Sequence, residues 1–305
     1  MKNNILVLLL VALVVFAAGC GARGKEETGP FAVLVDQLDR EVVIDNPPER
    51  IVSLSPGNTE IAFFIGLGEK IVGVTDFCNY PGEALGKEKV GGFANPNLEA
   101  LVALEPDLVL AGNMHDEIVK KLEEMGIPVL VLSPASVEEV YVSMELVAAA
   151  TGNEEAAARA IAGMQGRLEK VQERLASISG EKRVRIYYEV YSDPLMSAGG
   201  LSLINEVLSL AGGKNIFADI AEKYPKISDE AVVERDPQFI LFPKFHGSEE
   251  IKGDILEGRP LWKKITAVKE EKVFGVQADA ISRPGPRLVE AVEEVARLLY
   301  PDLFK

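Results

Sequence analysis

EEAAARAIAGMQGRLEKVQERLASIS, residues 154–179, decides how the rest of the chain is read. It is dominated by Ala, Leu, Glu, Lys and Arg, the strong helix formers. Ile161, Met164, Leu168, Val171, Leu175 and Ile178 recur at three- and four-residue steps, which predicts one apolar stripe on a helix. At 1.5 Å per residue such a helix reaches roughly 38 Å, long enough to brace two lobes.

The segments on its two sides match each other. Phe93, Glu99 and Pro106 lead into the apolar run LVLA, and Tyr224, Glu230 and Pro237 lead into FILF at the same spacing. EKIVGV at 69–74 also recurs as EKVFGV at 271–276. Two similar halves around one helix predict a bilobed protein with a pseudo-twofold relation. Within each half, short apolar runs alternate with amphipathic stretches. Strands are expected at 50–54, 71–74, 108–111 and 129–132, then at 183–190, 239–242 and 273–276. Helices are expected at 60–67, 98–104, 116–125 and 137–150, then at 201–210, 230–235 and 286–299. Phe31–Ile44 reads as a β-hairpin around Asp36 to Asp39. The alternation predicts an α/β fold: two Rossmann-like lobes with central, mostly parallel sheets, joined by one long helix. The divisions are 31–152 for the first lobe, 153–180 for the connecting helix and 181–305 for the second.

In open α/β sheets ligands bind beyond the carboxyl ends of the strands. The loops there are 55–58, 75–81, 191–200, 243–247 and 279–285. They offer Pro56, Gly57, Asn58, Phe77, Tyr80, Tyr191, Phe245, Asp279 and Arg283, with Phe93 and Tyr224 nearby. Flat aromatic walls with few charges suit a large, partly apolar, planar ligand. A phosphate or sugar acid would call for clustered Arg or a Gly-rich cradle, and neither is present.

At the N-terminus, Lys2 precedes an apolar run from Ile5 to Ala18. It is shorter than the ~20 residues a spanning helix needs, so residues 1–19 read as a secretory signal peptide. Cys20 directly after Ala18-Gly19 resembles the lipobox of bacterial lipoproteins, with Ala17 where Leu is usual. Residues 20–30 then form a polar, lipid-anchored tether. The formal charge of −15 excludes nucleic acid as a partner and argues against electrostatic binding to anionic lipid. Acylation of Cys20 would leave only Cys78, so no internal disulfide is expected. The two histidines, His115 and His246, stand in no metal-binding spacing, and no Gly-x-Ser-x-Gly elbow occurs.

The runs RIVSLSPGNTEIAFFIGLGEKIVGVTDFCNYP, NLEALVALEPDLVLA and ISRPGPRLVEAVEEVA resemble the helix-backbone class of solute-binding proteins of ABC importers. Members of that class carry vitamin B12, ferric siderophores and haem, and SPGNTE with NYP is most similar to the vitamin B12 carriers. The similarity covers residues 32–303 and implies two α/β lobes joined by a single helix. It further implies that Phe77 stands where a tyrosine meets the corrin, and Phe93 and Tyr224 where tryptophans line the cleft. Residues 279–283 fall on a ligand-contacting loop, with Ala280 and Ile281 in place of aromatics. Glu99 and Glu230 fall on the pair of carboxylates that dock onto permease arginines. Their matching positions in the two halves give an independent reason, because a twofold permease needs one contact from each lobe.

The expected function is that of an exported, lipid-anchored binding protein, not an enzyme, on the outer face of the cytoplasmic membrane or in the periplasm. A monomer, it would hold a corrinoid as transported ligand, need no cofactor, and deliver to an ABC permease dimer with its ATPase subunits. Haem or a ferric siderophore is the alternative ligand, with His246, Tyr191 or Cys78 as axial ligand. An anchored hydrolase using His115 or His246 is the remote alternative.

Overall fold

The computed structural model describes residues 29–178, 180–244 and 252–305. Residues 1–28, with the expected signal segment and Cys20, lie outside them, as do Phe245 and His246. Two parallel sheets form the framework. In the first lobe β3 (Ile51–Ser53), β4 (Ile71–Val74), β5 (Glu88–Lys89), β6 (Leu108–Ala111) and β7 (Val129–Val131) lie in the order β5-β4-β3-β6-β7. Every pairing there is parallel. β3, β6 and β7 are buried at every residue, which is why their sequences are apolar runs rather than alternations. In the second lobe β8 (Val184–Ser192), β10 (Gly213–Asn215), β11 (Phe239–Lys244) and β12 (Val273–Gln277) lie in the order β10-β8-β11-β12, all parallel. β9 (Leu195–Ser197) folds back antiparallel on β8.

The two orders share one pattern: the second strand lies on one side of the first, and the last two strands lie on the other. β6 and β11 therefore occupy equivalent places, as the Glu99-to-Pro106 and Glu230-to-Pro237 spacings predict. The other repeated stretch does not. EKIVGV ends in β4, beside the first strand of its sheet, whereas EKVFGV ends in β12, at the far edge of the other. That likeness is one of short amphipathic strands and not of position.

The connecting helix runs from Glu154 to Leu175, 22 residues or about 33 Å, stopping four short of the expected Ser179. Leu175 is the last buried member of its stripe, and the Ser and Gly residues that follow suit the turn into β8. Its buried face (Ala157, Ile161, Met164, Val171, Leu175) packs on helix Val137–Thr151 of the first lobe and helix Leu288–Leu299 of the second. One apolar layer thus runs unbroken beneath both lobes. Separate clusters cover the other face of each sheet, around Leu101 and Val109 in the first and around Tyr187 and Trp262 in the second. Arg167 on the helix forms a two-pronged pair with Glu293, at 2.9 and 3.0 Å, and this holds the Glu293 carboxyl below its usual range.

Gly163 and Gly166 stand near the middle of the helix, where an added methyl would meet nothing within 4 Å. Each costs helix stability without a packing reason. Gly163→Ala and Gly166→Ala are each expected to stabilise the protein by about 0.5–1 kcal/mol, read as a raised melting temperature. Destabilisation by either would mean the helix must bend there.

The hairpin forms from β1 (Ala32–Val35) and β2 (Glu41–Ile44). Asp36 anchors it: its carboxylate accepts from the N–H groups of Leu38, Arg40 and Val131 and from the Arg40 guanidinium. Among the described residues no helix is long and apolar enough to cross a membrane.

Candidate functional site

The strand order of the first sheet reverses between β3 and β6, and a crevice opens where the chain leaves these two strands in opposite directions. After β3 comes Ser55-Pro56. Proline at the first helical position is preorganised for a helix start, so helix Pro56–Phe64 begins at once, with Ser55 capping it by accepting the Asn58 N–H at 3.3 Å. The expectation of a turn at 55–58 and a helix from Glu60 to Leu67 is corrected here. Gly57 and Asn58 belong to the first helical turn, and the helix ends three residues early.

This turn forms one wall of a cavity of about 450 Å³ between the lobes, within the usual range for small-molecule sites. The first lobe contributes Ser55 to Asn58, Phe77, Phe93, Gly112 to Met114 and Leu132 to Ala135; the second contributes Lys223 and Ser282 to Pro284. Of the residues read from the sequence, Pro56, Gly57, Asn58, Phe77, Phe93 and Arg283 meet here. Tyr80, Tyr191, Tyr224 and Asp279 do not line the cavity. Tyr80 lies under the Arg287 guanidinium, 4.1 Å from ring to carbon, and Tyr191 is mostly exposed. Tyr224 is half-exposed beside Lys223, with burial pushing its hydroxyl up.

Phe77 is 61% exposed, so its ring stands free in the cleft. Phe93 is held edge-on against His115, with ring centres 5.6 Å apart at 87°. His115 is buried and fully engaged: Nδ1 accepts the Gly112 N–H at 2.9 Å and Nε2 donates to the Phe93 carbonyl at 2.7 Å. Burial lowers its pKa, so the ring is a neutral strut for Phe93. Cys78 is likewise buried, with Thr59 and Thr75 hydroxyls 3.2 Å from its sulfur. Neither residue presents a free ligand atom to the cleft.

Behind the cavity the lobes are locked. Glu60, 2% exposed, receives Arg287 in two-pronged fashion at 2.6 and 2.8 Å and Arg283 at 3.4 Å. Arg283 also donates to Asn79 Oδ1 at 2.6 Å and pairs with Asp279 at 2.9 Å. Burial alone would lower the Arg287 pKa, but the Glu60 carboxylate outweighs it and the value rises. The contact is so close that a methyl on Gly57 would sit 2.6 Å from the Pro284 carbonyl oxygen, which only glycine tolerates. The expected loop 279–285 begins as a short helix, Ala278–Ser282, that turns Ala280 and Ile281 into the core. These two side chains therefore pack rather than face the cleft.

Glu99 and Glu230 lie outside the cavity. Asn97 caps one short helix (Leu98–Val102) and Ser228 the other (Asp229–Arg235), and each glutamate is the second helical residue, exposed. Its own N–H and the Ser228 hydroxyl hold the Glu230 carboxyl below its usual range. Several site residues escape the sequence reading: Gly112 to Met114, Leu132 to Ala135, Lys223, and the Glu60–Arg287 pair. The first two groups directly follow β6 and β7, so the strand-end rule applied to every strand would have found them.

A family model described as periplasmic binding protein matches residues 51–280. Over its whole length the chain is 38% identical to the uncharacterized ABC transporter substrate-binding lipoprotein YvrC of Bacillus subtilis, covering 99% of it. It is 33% identical to the vitamin B12-binding protein of Vibrio cholerae over 83% of this chain and 90% of that one. The crystal structure of the periplasmic vitamin B12 binding protein BtuF of Vibrio cholerae superposes with a TM-score of 0.72 at 31% identity, over 84% of this chain and 98% of that one.

Proposed function

The chain belongs to the periplasmic binding protein family, and from that premise we propose that it captures a corrinoid in the interlobe cleft and delivers it to an ABC permease. As a solute-binding protein of an ABC transporter it binds and hands over; it is not an enzyme. The observation that carries the corrinoid reading is the cavity beyond β3 and β6, walled by the Phe77 and Phe93 rings, where among the described residues Lys223 is the one lining charge without an ion-pair partner. Such walls favour a broad ring system that is apolar on its faces and polar at its rim. The likeness to vitamin B12-binding proteins supports the same choice. Acylation at Cys20 would hold the protein at the outer face of the cytoplasmic membrane, and the lipoprotein named among its relatives supports that.

Titration of the purified protein with cyanocobalamin, haemin and a ferric hydroxamate, followed by calorimetry and absorbance, tests the reading. Cyanocobalamin is expected to bind most tightly; saturable binding of haemin or the siderophore alone would overturn the assignment. Phe77→Ala and Phe93→Ala are each expected to weaken cyanocobalamin binding by about 1–3 kcal/mol, the loss of a large buried ring contact. An unchanged dissociation constant would remove that ring from the site.

A further inference from the structure

Asn58 lines the cleft yet is only 2% exposed. Its Nδ2 donates to the Ala111 carbonyl at 2.9 Å. That bond fixes which way the amide points, because the flipped amide would set two oxygens against each other with no proton between them. Oδ1 is left with no donor among the described residues, and it is not among the side-chain atoms sealed from solvent without a partner, so it can meet a ligand in the cleft. Ser55 is complementary. Its Oγ accepts the Asn58 N–H, so its hydroxyl proton is left to give, and it has no acceptor among the described residues. The first turn of a nine-residue helix thus offers the cleft one neutral acceptor and one neutral donor.

We propose that this pair is a subsite for a primary carboxamide on the ligand. The carboxamide N–H donates to Asn58 Oδ1 and its carbonyl accepts from the Ser55 hydroxyl. The inference rests on the corrinoid reading and sharpens it, since a corrin bears primary carboxamides at its rim where haem bears carboxylates. A carboxylate has no proton for Asn58 and would meet Oδ1 lone pair to lone pair. The arginine lining the cavity is already committed, since Arg283 is shared between Glu60, Asp279 and Asn79. The other cation lining it, Lys223, comes from the second lobe, so its attraction for a carboxylate would fade at high salt.

Cyanocobalamin and its purified monocarboxylates, each with one peripheral amide hydrolysed, are titrated into the wild-type protein at low and high salt. At least one isomer is expected to bind roughly tenfold more weakly than the parent, equivalent to about 1.4 kcal/mol, and to do so at both salt concentrations. In Asn58→Ala, with folding checked by circular dichroism, that gap is expected to narrow. The wild-type comparison decides the matter even if this variant does not fold. If every monocarboxylate binds as tightly as the parent, the carboxamide subsite is overturned while the corrinoid reading stands. If neither parent nor derivatives bind, both are overturned.

Discussion

Glu60→Ala is expected to cost the fold about 3–5 kcal/mol, the range for removing one partner of a buried ion pair. Two guanidiniums, Arg283 at 16% and Arg287 at 14% exposure, converge on this one carboxylate. Without it, Asp279 beside Arg283 is, among the described residues, the one carboxylate left to offset two largely buried positive charges. Glu60→Gln keeps the shape and one acceptor, so an intermediate loss is expected. Urea unfolding, read as the midpoint with its slope, separates the three proteins. A loss below about 1 kcal/mol for the alanine variant would mean that the pair behaves as an exposed one. Because Arg283 also lines the cavity, ligand affinity should fall along with stability.

Glu99→Ala combined with Glu230→Ala is expected to abolish uptake while leaving the dissociation constant within a few-fold of wild type. Each glutamate is exposed in the first turn of a short helix, and Asn97 and Ser228 continue to cap these helices after substitution. What is lost is the favourable interaction with the helix dipole, some 0.3–1 kcal/mol per site, and at Glu230 the exposed bonds from its own N–H and the Ser228 hydroxyl, which lie too far from the cleft to disturb it. A permease with twofold symmetry would meet one carboxylate from each lobe, so the single variants should each be partly impaired. Uptake of labelled ligand by cells and calorimetry on the purified protein measure the two quantities separately. Loss of binding in the double variant, or normal uptake, would sink the docking role.

Much of the fold was legible because buried parallel strands and amphipathic helices write themselves as runs and periods. β6, β11 and the long helix are examples, and the matching places of Glu99 and Glu230 follow from them. β9 and β10 were not legible: Leu195–Ser197 and Gly213–Asn215 are three residues each, and their pairing with β8 rather than their composition makes them strands. In the site, aromatic content marked Phe77 and Phe93 but also Tyr80 and Tyr191, because composition cannot tell a ring facing the cavity from one beside it. The most consequential misreading was local. Proline after Ser55 is a start signal, and reading it as a turn hid the helical placement of Asn58. Glu60 and Arg287 lie 227 positions apart, and nothing short-range links them.

The unbroken apolar layer beneath both lobes bears on how cargo can leave. Swinging the halves wide would drag part of that layer into water, and each 100 Å² so exposed costs roughly 2.5 kcal/mol. A gaping form at that cost would be about one molecule in seventy. Escape must then proceed through small adjustments at the mouth, or wait until another molecule does the prying.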